Sequence, residues 1–301
     1  KVNDIFYYQV HNGSNAEIRY AKRHGESWIK PEGNIVLKDS MACHNFRVFL
    51  DKNGKYKAIG GYHCNSTHPT LRGKGPTKLR EHEVLDPVWP NVKRTLYDSG
   101  AYHNMHANGY YIFESEDGIS WKEHHNLPVF NSDNIISTDE TSGYLSSDNM
   151  PCVFWDKNIK KYRTYIRANV KLGVRYVCTS VSEDLINWEQ FEYINLPTFN
   201  FNNGNIYFFN AMPFEYKDLK YISIAPTFNN DILSEDGSKR DYRNHSNTVF
   251  MSRNGVDWMP YLTLSFDQNP SGHMKFSHIY SYESEDKNLN IYVIKDYLTN
   301  N

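Results

Sequence analysis

Charge of one sign is missing from this chain: 33 Lys and Arg stand against 35 Asp and Glu, a formal net charge of −2. The basic stripe on which nucleic-acid binding depends is absent, and no nucleic-acid partner is expected. Long apolar runs are missing too. Nothing approaches the roughly 18 consecutive apolar residues of a membrane helix, so no membrane span is expected. Cysteine is scarce, and Cys43, Cys64, Cys152 and Cys178 include no C-x-x-C pair, which argues against a zinc site. His103 and His106 form an H-x-x-H, but the Glu and the helix of a zincin do not accompany them. Neither metal nor cofactor is expected. No leader peptide is visible and the first residue is Lys1, not Met, so a processed or trimmed N-terminus is the expectation. Glycosylation triplets at Asn12, Asn65 and Asn244 are of a kind that arises by chance, and compartment and oligomeric state stay open. Apolar residues do not recur at helical spacing, which excludes a solenoid of helix pairs.

What is there is a repeat. Residues 113–121 read Phe-Glu-Ser-Glu-Asp-Gly-Ile-Ser-Trp, and the frame returns at 181–188 and 251–258, with a worn copy at 20–28. The frame is a β-type residue, Ser, one free residue, Asp or Asn, usually Gly, a β-branched residue, one free residue and Trp. It predicts a strand, a tight turn in which Asp-Gly or Asn-Gly supplies positive φ, and an outgoing strand that the Trp anchors by burial. Trp121, Trp188 and Trp258 recur at about 70 residues, and each period holds three or four strand-like runs, as the four-stranded blades of a β-propeller do. Aromatics make up 15% of the chain, with 23 Tyr. Strand propensity accounts for such a content, and so does a surface on which rings stack against sugars.

The runs place strands at 5–10, 17–22 and 34–37, then at 44–50 and 56–60. An insertion follows over 62–108. Further strands are expected at 110–114, 148–155, 162–167, 175–180, 210–214, 221–225, 248–251, 276–282 and 289–295. The whole chain, 1–301, reads as one all-β propeller domain. The segment after Trp258 and the segment up to Trp28 together make one period, which gives four blades if the termini share one and five if each end is an incomplete blade. Either way the terminal segments are adjacent, which hides two strand edges.

Several patterns resemble a known group: Asn45-Phe46 with Phe49-Leu50-Asp51, Phe154-Trp155-Asp156 with Lys161-Tyr162 and Arg167, the Ser-x-Asp-x-x-x-Trp frame, and Asn210-Ala211 with Pro213. They look like uncharacterised proteins similar to the N-terminal domain of glycoside hydrolase family 32, within the five-bladed superfamily of arabinanases, levansucrases and invertases. The resemblance spans nearly the whole chain and leans the blade count to five. It implies a carbohydrate ligand in an axial funnel, with carboxylates delivered by successive innermost strands. One carboxylic acid protonates the leaving oxygen while a second carboxylate attacks the anomeric carbon or activates water, and environment must separate their pKa values.

Carried over by position, the set is incomplete. His44-Asn45 stands where invertase-like enzymes have Asn-Asp, Asp148 matches an acidic position, and Asn210 is an amide where an acid is wanted. Asp148 is thus the leading catalytic carboxylate, set against an Asx turn at a strand entry. Glu140, and Glu81 in the insertion, are the candidates for the second, set against solvated loop charges. Arg167 is suited to a carboxylate, sulfate or phosphate on a sugar, or to a surface ion pair. His44, Asn45, Asn210, Asp241 and His278 complete the expected substrate-binding set. The reading is a glycoside hydrolase-like glycan-processing enzyme, with a non-catalytic, lectin-like propeller as the alternative.

Overall fold

Alternating apolar residues and turn residues set the strands of this chain, and the computed structural model contains no α-helix among its described residues. Described are residues 4–12, 15–38, 41–43, 45–64, 84–85, 93–94, 109–124, 129, 146–147, 149–171, 174–199, 204–229, 246–264, 280–283 and 289–292. Two compact units emerge, Lys1–Thr164 with Ser180–Phe191, and Tyr165–Thr179 with Glu192–Asn301.

The first unit opens with a four-stranded antiparallel sheet: β1 (Ile5–Asn12), β2 (Asn15–His24), β3 (Ser27–Ile29) and β4 (Ile35–Lys38). β3 and β4 share one edge of β2 and are separated by the expected turn at Lys30-Pro31-Glu32-Gly33. Asn34 rejoins the chain to the sheet, its Nδ2 donating to Tyr20 O at 2.7 Å while Tyr20 N donates to Asn34 O at 3.0 Å. A 3-10 turn, Met41–Cys43, leads to a second sheet. This holds β5 (Arg47–Leu50), β6 (Tyr56–Cys64), β9 (Gly109–Ser115) and β10 (Lys122–Glu123), with β11 (Ser146–Ser147) paired to the far end of β6. The short pair β7 (Val84–Leu85) and β8 (Lys93–Arg94) lies in the predicted insertion. Gly60 lets the 3-10 turn close on β6, since a Cβ there would stand 2.3 Å from Ala42 O. Ala42, Cys43, Phe46, Ala58, Tyr111 and Phe113 bury together at that contact.

The next strands are β12 (Cys152–Asp156), β13 (Lys161–Lys171) and β14 (Val174–Ser182), side by side in that order, with β15 (Glu192–Tyr193) outside β14. The division between units falls within β13 and β14. In the second unit β16 (Gly204–Ile206) runs parallel to β14 and antiparallel to β18 (Leu219–Asn229). β17 (Asn210–Tyr216), β18, β19 (Ser246–Ser252) and β20 (Trp258–Leu264) form an antiparallel meander, and β21 (Tyr280–Glu283) pairs with β22 (Leu289–Tyr292). β16 was not anticipated: three residues without alternation carry too little pattern to read as a strand.

The repeat frame forms a clasp. In the first copy Gly118 N donates to Ser115 Oγ, Ile119 N and Ser120 N donate to Asp117 Oδ1, and Trp121 Nε1 donates to Gly118 O. The second copy repeats this with Ser182, Asp184 and Trp188, the third with Ser252, Asn254 and Trp258. The left-handed residue is Gly118 at φ 74° and Gly255 at φ 81°, but Leu185 at φ 72° in the second copy. Trp258 is wholly buried and packs against Tyr165 and Phe209 at 5.6 and 4.9 Å. The worn copy departs from the expectation. Gly25 and Glu26 make a two-residue hairpin turn in which Gly25 has φ 59°, and Trp28 is 43% exposed. It lacks both the Ser and the Asp that would fold the clasp around the indole.

Candidate functional site

Three of the anticipated site residues are described: Asn45 in the first unit, and Arg167 and Asn210 in the second. Asp148, Glu140, Glu81, His44, Asp241 and His278 lie outside the described residues. On either side of Asp148, Ser147 pairs with His63, and Tyr110 donates its hydroxyl to Asn149 O at 2.9 Å. Asn45 does not open the strand expected at 44–50. It has φ 58°, a left-handed conformation that Asn tolerates, and β5 begins only at Arg47. Its Nδ2 donates to Gly61 O at 3.2 Å, tying the turn to β6. Asn210 is the first residue of β17, half-buried, opposite Ile224 of β18.

Arg167 sits in a polar cluster of the second unit. It occupies the later part of β13, only 6% exposed, with its guanidinium carbon 4.8 Å from the centre of the Tyr207 ring. Arg175, at the start of β14, brings a second guanidinium to the same ring at 5.4 Å. The crossing strand β16 makes this possible. Asn205 is opposite Arg175 in the parallel pair, and its buried Oδ1 accepts from Arg175 N at 3.0 Å and Nη1 at 3.4 Å. Tyr207 N then donates to Pro226 O at 3.1 Å, which fixes the ring's strand against β18. Pro226 faces Asn247 on the other side. Asn247 is 3% exposed, and its Oδ1 has no hydrogen-bond partner among the described residues. Buried polar atoms are nearly always hydrogen-bonded, so this oxygen calls for a donor that the described residues do not supply.

Guanidinium groups, an amide acceptor and a phenol can bind and orient. Arg stays protonated in proteins and cannot serve as the acid or base of a hydrolysis. Among the described residues no group of three or more His, Cys, Asp or Glu could hold a metal ion.

Two charged clusters of the first unit are structural. Glu114 accepts from Lys57 at 2.8 Å, Lys122 at 2.9 Å and His124 Nδ1 at 2.9 Å. The Lys57 and Lys122 ammonium groups hold its carboxyl down at about 2, far from a general acid's range. Asp156, wholly buried, pairs with the buried Arg163 at 2.9 Å and caps the turn through Asn158 N at 3.1 Å.

Sequence reasoning reached Arg167 but missed Arg175, Asn205, Tyr207 and Asn247. Arg175 was read only as the start of a strand, and Asn205 and Tyr207 depend on β16, whose pattern is too short to read.

No family model and no curated protein matches this chain. Solved structures do. An endo-arabinase from Bacteroides thetaiotaomicron superposes with a TM-score of 0.51 at 10% identity, over 96% of this chain and 84% of the other. A glycoside hydrolase superposes with a TM-score of 0.53 at 11% identity, over 95% and 82%. The chain shares its all-β fold with these two structures, as its repeat and its strand pattern anticipated.

Proposed function

We propose that this chain is a glycan-processing enzyme of the glycoside hydrolase kind, with a carbohydrate as its substrate. The observation that carries the reading is the cluster at the β16 crossing: Arg167, Arg175, Tyr207, Asn205 and the buried, unpartnered Asn247 Oδ1, gathered on a fold shared with an endo-arabinase and another glycoside hydrolase. Sugars present hydroxyl donors and acceptors in fixed directions together with an apolar ring face, and amide, guanidinium and phenol groups answer these. Fold alone never fixes chemistry, so the polar cluster is the stronger support.

Hydrolysis needs two carboxyl groups about 5–9.5 Å apart across the scissile bond. Asp148 is proposed as one, with Glu140 or Glu81 as the other. The acid gives its proton to the glycosidic oxygen. The carboxylate either attacks the anomeric carbon or takes a proton from the attacking water. Arg167 is proposed to hold the sugar in register, with His44, Asn45, Asn210, Asp241 and His278 as further contacts.

The test is release of reducing ends from a panel of arabinans, fructans, galactans and uronate-containing glycans. The expected outcome is turnover of at least one glycan, reduced by about a hundredfold or more in Asp148→Asn. Unchanged turnover in that variant would remove Asp148 from the mechanism. Binding without turnover of any glycan would make the chain a lectin-like propeller.

A further inference from the structure

The three clasps of the repeat differ in one pair of side chains. In the first, Ser120 Oγ donates to Asp117 Oδ2 at 3.1 Å, and in the second Asn187 Nδ2 donates to Asp184 Oδ2 at 2.7 Å. The third reverses the polarity: Asn254 Nδ2 donates to Asp257 Oδ2 at 2.6 Å. Its carboxylate thus stands at the later position of the pair, where Asn195 Nδ2 also donates to Asp257 Oδ1 at 2.9 Å. Of the three, only this clasp carries Asn directly before Gly. In an Asn-Gly pair the side-chain amide is open to its own backbone, because glycine has no Cβ to shield its nitrogen. The Gly255 nitrogen gives up its proton and attacks Asn254 Cγ. The N–Cγ bond forms, the Cγ–Nδ2 bond breaks, and ammonia leaves with that proton. Water then opens the five-membered imide at one carbonyl or the other, which yields aspartate or isoaspartate. The closed clasp opposes the first step. Gly255 N–H is buried and donates to Ser252 Oγ at 2.8 Å, while Asn254 Oδ1 accepts from Val256 N at 2.9 Å and Asp257 N at 2.8 Å. Attacking atom and target are both held, and Ser252, at 1% exposed, keeps water from the N–H.

We infer that Asn254 is a latent deamidation site, guarded by Ser252 while the third clasp is closed and converted when it opens. Conversion then hinders reclosure. A carboxylate at position 254 lies against that of Asp257, so a like-charge contact replaces a hydrogen bond. The Asn195 and Asn254 amides hold the Asp257 carboxyl below its usual value, and it is ionised at neutral pH. The first two clasps tolerate a carboxylate at this position because Ser120 and Asn187 donate to it. Isoaspartate adds a main-chain carbon to a turn in which Gly255 has φ 81°. Either product loosens the clasp around the wholly buried Trp258, whose Nε1 donates to Gly255 O at 3.1 Å.

The test incubates the whole chain in mildly alkaline buffer, folded and in concentrated urea, and follows the amide-to-acid mass change at Asn254 by peptide mass spectrometry. Conversion in the folded chain is expected to be slower than in urea by about tenfold or more, because it must wait for local opening. Equal rates in the two states would overturn the inference. Ser252→Ala removes the acceptor of Gly255 N–H. It is expected to speed conversion of the folded chain by about tenfold and to leave the rate in urea unchanged. An unchanged folded rate in that variant would remove Ser252 as the guard. If Ser252→Ala does not fold, the ratio of folded to urea rates in the unaltered chain decides the matter, together with a pair of charge variants. Asn254→Asp, which imitates one product, is expected to lower the urea midpoint. Adding Asp257→Asn is expected to restore much of it, since the pair then takes the arrangement of Asp184 and Asn187. A midpoint that Asn254→Asp leaves unchanged would contradict the proposed effect on the clasp.

Discussion

At the scale of single residues, burial separates what holds the protein together from what is available to a ligand. Asp156 and Arg163 are buried and joined at 2.9 Å. Asp156→Ala leaves a buried cation without its carboxylate, and a loss of about 3–5 kcal/mol is expected in denaturant titration. A loss under about 1 kcal/mol would mean that water reaches Arg163 when the pair is broken. Asn247 is the opposite case. Its Oδ1 has no partner among the described residues, so Asn247→Ala removes no hydrogen bond from that oxygen. The variant is expected to keep its stability within about 1 kcal/mol and to bind the cognate glycan about tenfold more weakly. A large stability loss with unchanged binding would make Asn247 a structural residue. Arg167 was legible as a candidate because it closes a strand beside the one that Asp148 introduces. Asn247 was not legible, since one Asn among strand residues is ordinary until its neighbours are known.

At the scale of elements, the clasp is the unit that the repeat encodes, and its carboxylates make stability depend on pH. Backbone N–H groups of Ser120 and Ile119, with the Ser115 and Ser120 hydroxyls, hold Asp117 at about 2. Burial pushes Asp184 upward, but N–H groups of Asn187 and Ile186 outweigh it and bring it to about 2. Glu114 stands at about 2 through Lys57 and Lys122. All three are depressed below their unfolded values, so their contribution is complete above about pH 4.5 and is lost as pH falls toward about 2. Urea midpoints measured between pH 6 and 2 should drop across that window. Asp117→Asn, Asp184→Asn and Glu114→Gln should each flatten the drop, and a flat profile in the unaltered chain would contradict the assignment. Gly118 carries a second constraint. A Cβ there would come within 2.8 Å of the Tyr7 hydroxyl at a φ of 74°, and that hydroxyl donates to Gly118 O at 2.7 Å. Gly118→Ala should therefore cost about 2 kcal/mol or more through strain and overpacking. Unchanged stability would show that Tyr7 can move aside. The three full clasps were legible because Ser, Asp or Asn, and Trp recur at fixed offsets and each has one geometric task. The worn copy kept its Gly and its Trp, and without the Ser and the Asp the indole stays half exposed. β16 escaped because a three-residue crossing strand is defined by its neighbours on β14 and β18, not by its own sequence.

At the scale of the whole molecule, a fold shared at 10–11% identity means that the strand pattern persists while nearly every side chain differs. Alternation and turn chemistry made the all-β class and the propeller family of folds readable. Substrate chemistry is carried by a few side chains that distant strands bring together, so no local stretch of sequence spells it out. The central claim is that the β16 crossing is where a glycan sits. The most direct test is a crystal structure after soaking with acidic and neutral oligosaccharides. Sugar density within hydrogen-bond reach of Arg175 and Asn247 Oδ1, against Tyr207, is the predicted result. Density for a sugar elsewhere in the protein, with these residues untouched, would contradict it.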